Sequence, residues 1–288
     1  QPDVLVELAG FTADQRLRPL TARPAPIQLS YLGYFASTHL RCIDGWIGDP
    51  VLFGPGLEQE ASGQRLHRLD RCYMAYRPPA APPLQRTAAD GRFRFGSFNH
   101  SRKLGPAALD LFAAVLRAVP GSLLVLKSIS FVEEAEQERI AAALQQRGIE
   151  RERLELLGWV QGSDSHLDLY GRMDAALDPI PYGGATTTAD ALWMGVPVLA
   201  MAGEGMVGRL SASLLAGAGL QAAIASTPAE FVYLAQRLAA RGVREGSLRQ
   251  ALRQRLQTSE LMNERGLSQS LEQLYRRLWQ ERSWQERL

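Results

Sequence analysis

The chain has 288 residues, of which 46% are hydrophobic and 22% charged, and a formal net charge of +2. Such a length suits two domains and the composition is that of an ordinary globular protein with a sizeable core. The near balance of charge argues against a nucleic-acid partner, and no apolar run approaches the ~18 residues that a membrane span needs.

Cys42 and Cys72 make no metal spacing and no disulfide framework, and are expected as reduced thiols of a cytoplasmic protein. Arginine supplies nearly all the positive charge, and lysine occurs only at Lys103 and Lys127. That scarcity marks both.

The chain begins at Gln1 and runs at once into an apolar strand over residues 4–8, ended by Ala9-Gly10, so an upstream part of the protein is expected. Residues 13–21 are helix-like but short. The prolines of Arg23-Pro24-Ala25-Pro26 exclude helix, because each pushes its predecessor toward extended geometry. A second strand is predicted at 27–32, with weaker ones at 43–47 and 72–76. So few helices cannot cover both faces of a sheet. Residues 1–90 therefore read as the back half of an α/β domain. Residues 77–83 hold four prolines in seven positions and form a stiff, extended boundary.

From 91 to 266 the alternation is regular. Strands are predicted at 93–98, 123–127, 154–157, 175–177, 196–200 and 222–225, with helices near 106–118, 132–147, 164–172, 186–194, 208–216 and 228–241. This pattern specifies a doubly wound parallel sheet, whose ligands sit beyond the carboxyl ends of the strands. Two helices follow. The last, within 267–288, carries Leu267, Leu271, Leu274 and Leu278 as an amphipathic stripe expected to pack back toward the first segment.

Candidate chemistry falls at those carboxyl ends. Gly183-Gly184-Ala185-Thr186-Thr187-Thr188 lies between a strand and a helix. Glycines permit close backbone approach, and the helix start offers unpaired N–H groups to a phosphate. Asp190, one turn past Thr186, suits ribose hydroxyls. The same residues would also serve as an ordinary loop with a threonine cap. Asn99, His100 and Lys103 follow the strand at 93–98, where a lysine is a mobile point charge for phosphate oxygens. His166 stands in the first turn of its helix, either at a base or simply at the surface. Gly203-Glu204-Gly205-Met206-Val207-Gly208 matches G-x-G-x-x-G, but it sits at the fifth strand of its domain and the next strand ends without an acidic residue. No His, Cys or carboxylate cluster has metal-ligand spacing.

Together these stretches resemble the O-linked N-acetylglucosamine transferases and their SPINDLY-like relatives, inverting glycosyltransferases of the GT-B type. The resemblance rests on Arg23 to Gln28, Tyr31-Leu32-Gly33-Tyr34, Phe98-Asn99 with Lys103, Thr186-Thr187 with Asp190, Leu192-Trp193 with Gly195-Val196-Pro197, and Gly203-Glu204 with Arg209. It implies a complete Rossmann-like carboxy-terminal lobe and a partial amino-terminal lobe, a nucleotide-sugar donor, a protein or peptide acceptor and no metal. Lys103 would stabilise the leaving diphosphate beside Gly184, Ala185, Thr186 and Thr187. Asp190 would hold the ribose, Val160, Gln161 and His166 would frame the base, and Asn99 and His100 would line the sugar. The expected donor is UDP-N-acetylglucosamine, with GDP-fucose or a catalytically silent nucleotide-binding module as alternatives. The family's general-base histidine and tetratricopeptide repeats would lie upstream of Gln1. Two departures stand out: Tyr34-Phe35-Ala36 replaces the family's Tyr-Pro-Gly, and Ala185 replaces the histidine of the animal enzymes.

Overall fold

The computed structural model describes residues 2–60, 63–80, 83–84, 90–160, 163–242 and 246–285. Two all-parallel sheets divide the chain. The first contains β1 (Val4–Glu7), β2 (Ile27–Tyr31), β3 (Gly45–Gly48) and β4 (Arg65–Arg68), paired in that order. Among the described residues only the single-turn helices α1 (Leu17–Leu20) and α2 (Leu57–Glu60) interrupt it.

One predicted strand fails here, and an unpredicted one takes its place. Residues 72–76 are not a strand: Tyr73 N donates to the Asp49 carboxylate and Tyr76 N to Leu261 O, so this stretch bridges toward the second half of the molecule. The fourth strand is Arg65–Arg68, whose sequence Arg-Leu-His-Arg looks polar because an edge strand buries so little; only His67 is buried.

The second sheet holds β5 (Arg94–Ser97), β6 (Leu123–Lys127), β7 (Leu154–Leu157), β8 (Ala175–Leu177), β9 (Val198–Met201) and β10 (Ile224–Ala225) in the order β10-β9-β8-β5-β6-β7. The first and fourth strands of this sheet, β5 and β8, are neighbours. The chain therefore winds outward in both directions from that pair, and a crevice opens between the loops that leave it. Helices α3 (Pro106–Ala118), α4 (Glu134–Gln145), α5 (Ser163–Asp168), α6 (Thr186–Trp193) and α7 (Leu210–Gly217) are the crossovers, and α8 (Pro228–Ala240) follows the last strand.

Strand residues alternate between two cores, as the period of two requires. Leu124, Leu126, Leu177 and Leu199 face the core that holds residues of α3, α4 and α8. Val125, Ala176, Val198 and Ala200 face the core that holds residues of α6 and α7, and this one runs on without a break into the first sheet. The last two helices, α9 (Gly246–Gln257) and α10 (Glu264–Gln285), join it, with Leu274 and Leu278 buried. Each such leucine contributes roughly 1.5–3 kcal/mol. Polar contacts place α10 along the first sheet: Ser270 donates to Asp70 at 2.9 Å, Arg282 to Pro26 O at 2.8 Å, and Arg65 pairs with Glu281 at 3.3 Å.

The carboxyl ends of the two sheets meet. Asp49 follows β3 and is 2% exposed; it accepts from Val51 N and Leu52 N of its own turn and from Ser213 Oγ of α7. Arg209, just before α7, returns the contact by donating to Val51 O at 2.6 Å. Among the described residues no helix is long and apolar enough to cross a membrane.

Candidate functional site

β5 delivers Phe98 and Asn99, and a tight turn over Ser101–Lys103 follows. The turn folds the Lys103 side chain back, so that Nζ donates to Asn99 Oδ1 at 3.3 Å and to Gly183 O at 2.6 Å. Thr187 Oγ1 donates to the same Asn99 oxygen at 3.2 Å. Residues 80 or more positions apart are thereby gathered between β5 and β8, at the point where strand order reverses. The ammonium also lies 4.1 Å from the ring centre of Tyr182, in cation–π range. Burial lowers the Lys103 pKa, and the Asp178 carboxylate opposes that shift.

The loop after β8 is wound around Asp178. Gly184 N donates to Asp178 Oδ1 at 2.7 Å, Ser211 Oγ donates to Gly184 O at 2.9 Å, and Thr188 and Ser211 share a hydrogen bond of 2.8 Å. A Cβ at Gly183 would lie 2.6 Å from Asp178 Oδ2, and one at Gly184 would lie 2.5 Å from Thr187 Oγ1. Close packing, then, is what requires these glycines. Burial pushes the Asp178 carboxyl up to about 6, against the Gly184 N–H, the Ser211 hydroxyl and the Lys103 charge.

α6 begins without a side-chain cap, because Ala185 occupies that position. The N–H groups of Thr186 and Thr187 thus have no intrahelical partner, and they lie at the positive end of the helix dipole beside Lys103. Thr186 is exposed. This arrangement of amides, hydroxyl and ammonium favours a phosphate oxygen.

The other end of the crevice is aromatic. Lys127 Nζ, at the end of β6, donates to His166 Nδ1 at 3.0 Å, and His166 Nε2 lies 3.8 Å from Asp190 Oδ2. The His166 ring packs against Tyr170 at 5.6 Å and Phe98 at 6.2 Å. Asp190 is buried, and its other oxygen accepts from Tyr76 OH. Burial, reinforced by that carboxylate, drives the Tyr76 pKa upward.

Asn99, Lys103, Gly184, Ala185, Thr186 and Thr187 therefore converge, and His166 and Asp190 form a second group. His100 does not join either: it is exposed, and its Nδ1 accepts from Arg102 N at 3.2 Å as the cap of the turn. Val160 is half-buried after β7, and Gln161 lies outside the described residues. Asp178, Ser211, Tyr182 and Tyr76 escaped the sequence reading. For Asp178 a signal existed, an acidic residue ending an apolar strand just before the glycine turn. Tyr76 had none, since it meets Asp190 across 114 residues. Cavities of about 420 and 430 Å³ lie elsewhere, one beneath α10 at the amino ends of the first sheet and one between β9 and α8. Neither borders Lys103, and convergence of polar groups locates the site better than volume does. Among the described residues no cluster of His, Cys, Asp or Glu is placed to hold a metal ion.

This fold, two parallel-stranded lobes facing each other across their carboxyl ends, is that of the GT-B glycosyltransferases. An O-GlcNAc transferase variant from Thermobaculum terrenum superposes with a TM-score of 0.87 and 37% identity, over 97% of this chain and 53% of that one. Sucrose-phosphate synthase from Thermosynechococcus elongatus shares the fold at 17% identity, with a TM-score of 0.61 over 97% of this chain and 74% of that one. The profile of Glycosyl transferase family 41 matches residues 85–271, and the chain belongs to that family. Over 280 residues it is 37% identical to the "Probable UDP-N-acetylglucosamine--peptide N-acetylglucosaminyltransferase SPINDLY" of Arabidopsis thaliana, a match covering 96% of this chain and 30% of the plant protein. The chain thus spans about a third of the length of that curated relative.

Proposed function

We propose that this chain is the donor-binding region of a protein O-glycosyltransferase that transfers N-acetylglucosamine from UDP-N-acetylglucosamine to a serine or threonine hydroxyl. The observation that carries this reading is the meeting of Lys103 Nζ, Asn99, Gly183 and Thr187 at the start of α6. The names of the relatives, UDP-N-acetylglucosamine–peptide transferases among the plant proteins, support the donor and the acceptor.

In this reading the acceptor oxygen attacks the anomeric carbon from the face opposite the diphosphate. The bond from that carbon to the phosphate oxygen breaks, and UDP leaves with its electron pair. The hydroxyl proton passes to a base on the acceptor side, outside this network. Negative charge grows on the leaving diphosphate, where the Lys103 ammonium and the α6 amides stand already oriented, and such preorganised groups are worth most at that stage. No metal is assigned a part. Leu8, Phe11 and Leu32, exposed just after β1 and β2, offer an apolar acceptor-side surface. Free Cys42 and Cys72 fit a cytoplasmic protein, and burial pushes the Cys72 thiol up to about 11.

Calorimetric titration of the chain with UDP and with GDP tests the reading. UDP should bind, and Lys103→Ala should weaken it by at least about tenfold, as expected for loss of a charge-assisted contact. Tighter binding of GDP would overturn the choice of base. Unchanged UDP binding by Lys103→Ala would remove that lysine from the site.

A further inference from the structure

The contact between the chain's second lysine and His166 has chemical consequences of its own. A lysine ammonium carries three N–H donors and no acceptor. At 3.0 Å from Lys127 Nζ, His166 Nδ1 must therefore offer its lone pair. The ring proton then resides on Nε2, the nitrogen that lies 3.8 Å from Asp190 Oδ2. A proton on Nδ1 would set two donors against each other. Packing restrains the ring plane as well, with Tyr170 edge-on and Phe98 tilted beside it, while 28% of the His166 side chain stays exposed. Phe98 also faces the ammonium, with Lys127 Nζ 5.9 Å from its ring centre. Burial alone lowers the Lys127 pKa, so the amine gives up hydration to sit there.

We propose that Lys127 is a positioning residue for the nucleotide: by donating to Nδ1 it holds His166 as the Nε2–H tautomer, fixing the ring face offered to the base and aiming its N–H at Asp190. The proposal rests on the donor-site reading above and deepens it. In that reading Lys103 serves the diphosphate and Lys127 serves the base, and the two should be separable.

The chain has only four histidines, so ring ¹⁵N spectra of labelled protein are simple to assign with His166→Gln. His166 should appear as Nε2–H in the wild type, shift toward Nδ1–H in Lys127→Met, and return to Nε2–H in Lys127→Arg. Lys127→Met should weaken UDP about tenfold, the scale of one hydrogen bond to a charged group, yet change inorganic pyrophosphate binding less than twofold. Lys103→Ala should weaken both ligands. Circular dichroism confirms that each variant folds. An Nδ1–H signal in the wild type, or equal UDP binding by wild type and Lys127→Met, overturns the proposal. If the wild type binds neither UDP nor pyrophosphate, the donor-site reading falls and takes the nucleotide role of Lys127 with it, while the spectra still decide the tautomer.

Discussion

The two sheets solve the same problem with unequal means. The second has six strands, crossover helices and two cores, and it buries Leu124, Leu126, Leu177 and Leu199 under its own helices. The first has four strands and two single-turn helices, and depends on parts contributed by the rest of the chain. α10 lies along it through Ser270, Glu281 and Arg282, and α7 reaches its end through Ser213. The difference shows where chemistry can be built. A self-sufficient sheet holds a loop such as 178–187 against its own framework, whereas the dependent sheet contributes single side chains across the junction, Asp49 and, from the segment that follows, Tyr76.

The sharpest break in this arrangement is Asp49→Ala. It removes the acceptor for Val51 N, Leu52 N, Tyr73 N and Ser213 Oγ together. Urea unfolding should show a loss of about 3–5 kcal/mol, the scale for breaking a buried charged network. A loss below 1 kcal/mol would mean the sheets do not lean on this residue.

Gly184→Ala perturbs the self-sufficient side. Its Cβ would meet Thr187 Oγ1 at 2.5 Å and Thr188 Oγ1 at 2.9 Å, which forces the loop outward. A cost of about 1–3 kcal/mol is expected from such overpacking, together with weaker UDP binding. Full UDP affinity in a well-folded variant would show that the loop's course is irrelevant to the site.

Tyr76→Phe removes one hydroxyl between the linking segment and Asp190. The buried carboxylate keeps its other surroundings, so about 1–2 kcal/mol is expected in thermal or chemical unfolding. Additivity with Asp49→Ala would show two separate couplings; strong non-additivity would show a single one.

The last comparison is in pH, and here the two regions should differ in sign. Asp178 has its carboxyl raised from 3.8 to about 6, so the folded chain holds that proton more tightly than the unfolded chain. Its contribution to stability is greatest below pH 3.8 and is lost as pH rises through 6. In the first sheet His67 is pushed down from 6.5 to about 4, first by burial and then by the nearby Arg65 and Arg277 charges. Its contribution is present above pH 6.5 and lost as pH falls through 4. Comparing unfolding midpoints at several pH values, Asp178→Asn and His67→Gln should alter the slope in opposite directions. Slopes that move together would contradict the assigned burial of one of them.

Much of this was legible before any coordinates. The strands at 123–127 and 175–177 announce themselves because buried parallel strands are apolar on both faces. The glycine–threonine turn and the rare Lys103 stood out through residue type alone. Illegible were the edge strand 65–68, which buries a single histidine, and the stretch 72–76, whose apolar residues pack between the sheets and pair with neither. His100 sits beside Asn99 in sequence yet turns outward, because the tight turn that follows uses its ring as a cap.

The amino-acid order by itself determined the alternation of strands and helices, the crevice at the carboxyl ends and the identity of the groups able to meet a phosphate there. These depend on periodicity and on backbone geometry, which act over a few residues. Only the tertiary structure decided which groups touch: Lys103 with Gly183, Lys127 with His166, Tyr76 with Asp190, Asp49 with Ser213. Such pairs join distant segments: the first two follow from strand order within the second sheet, the last two from how the two halves of the chain pack against each other.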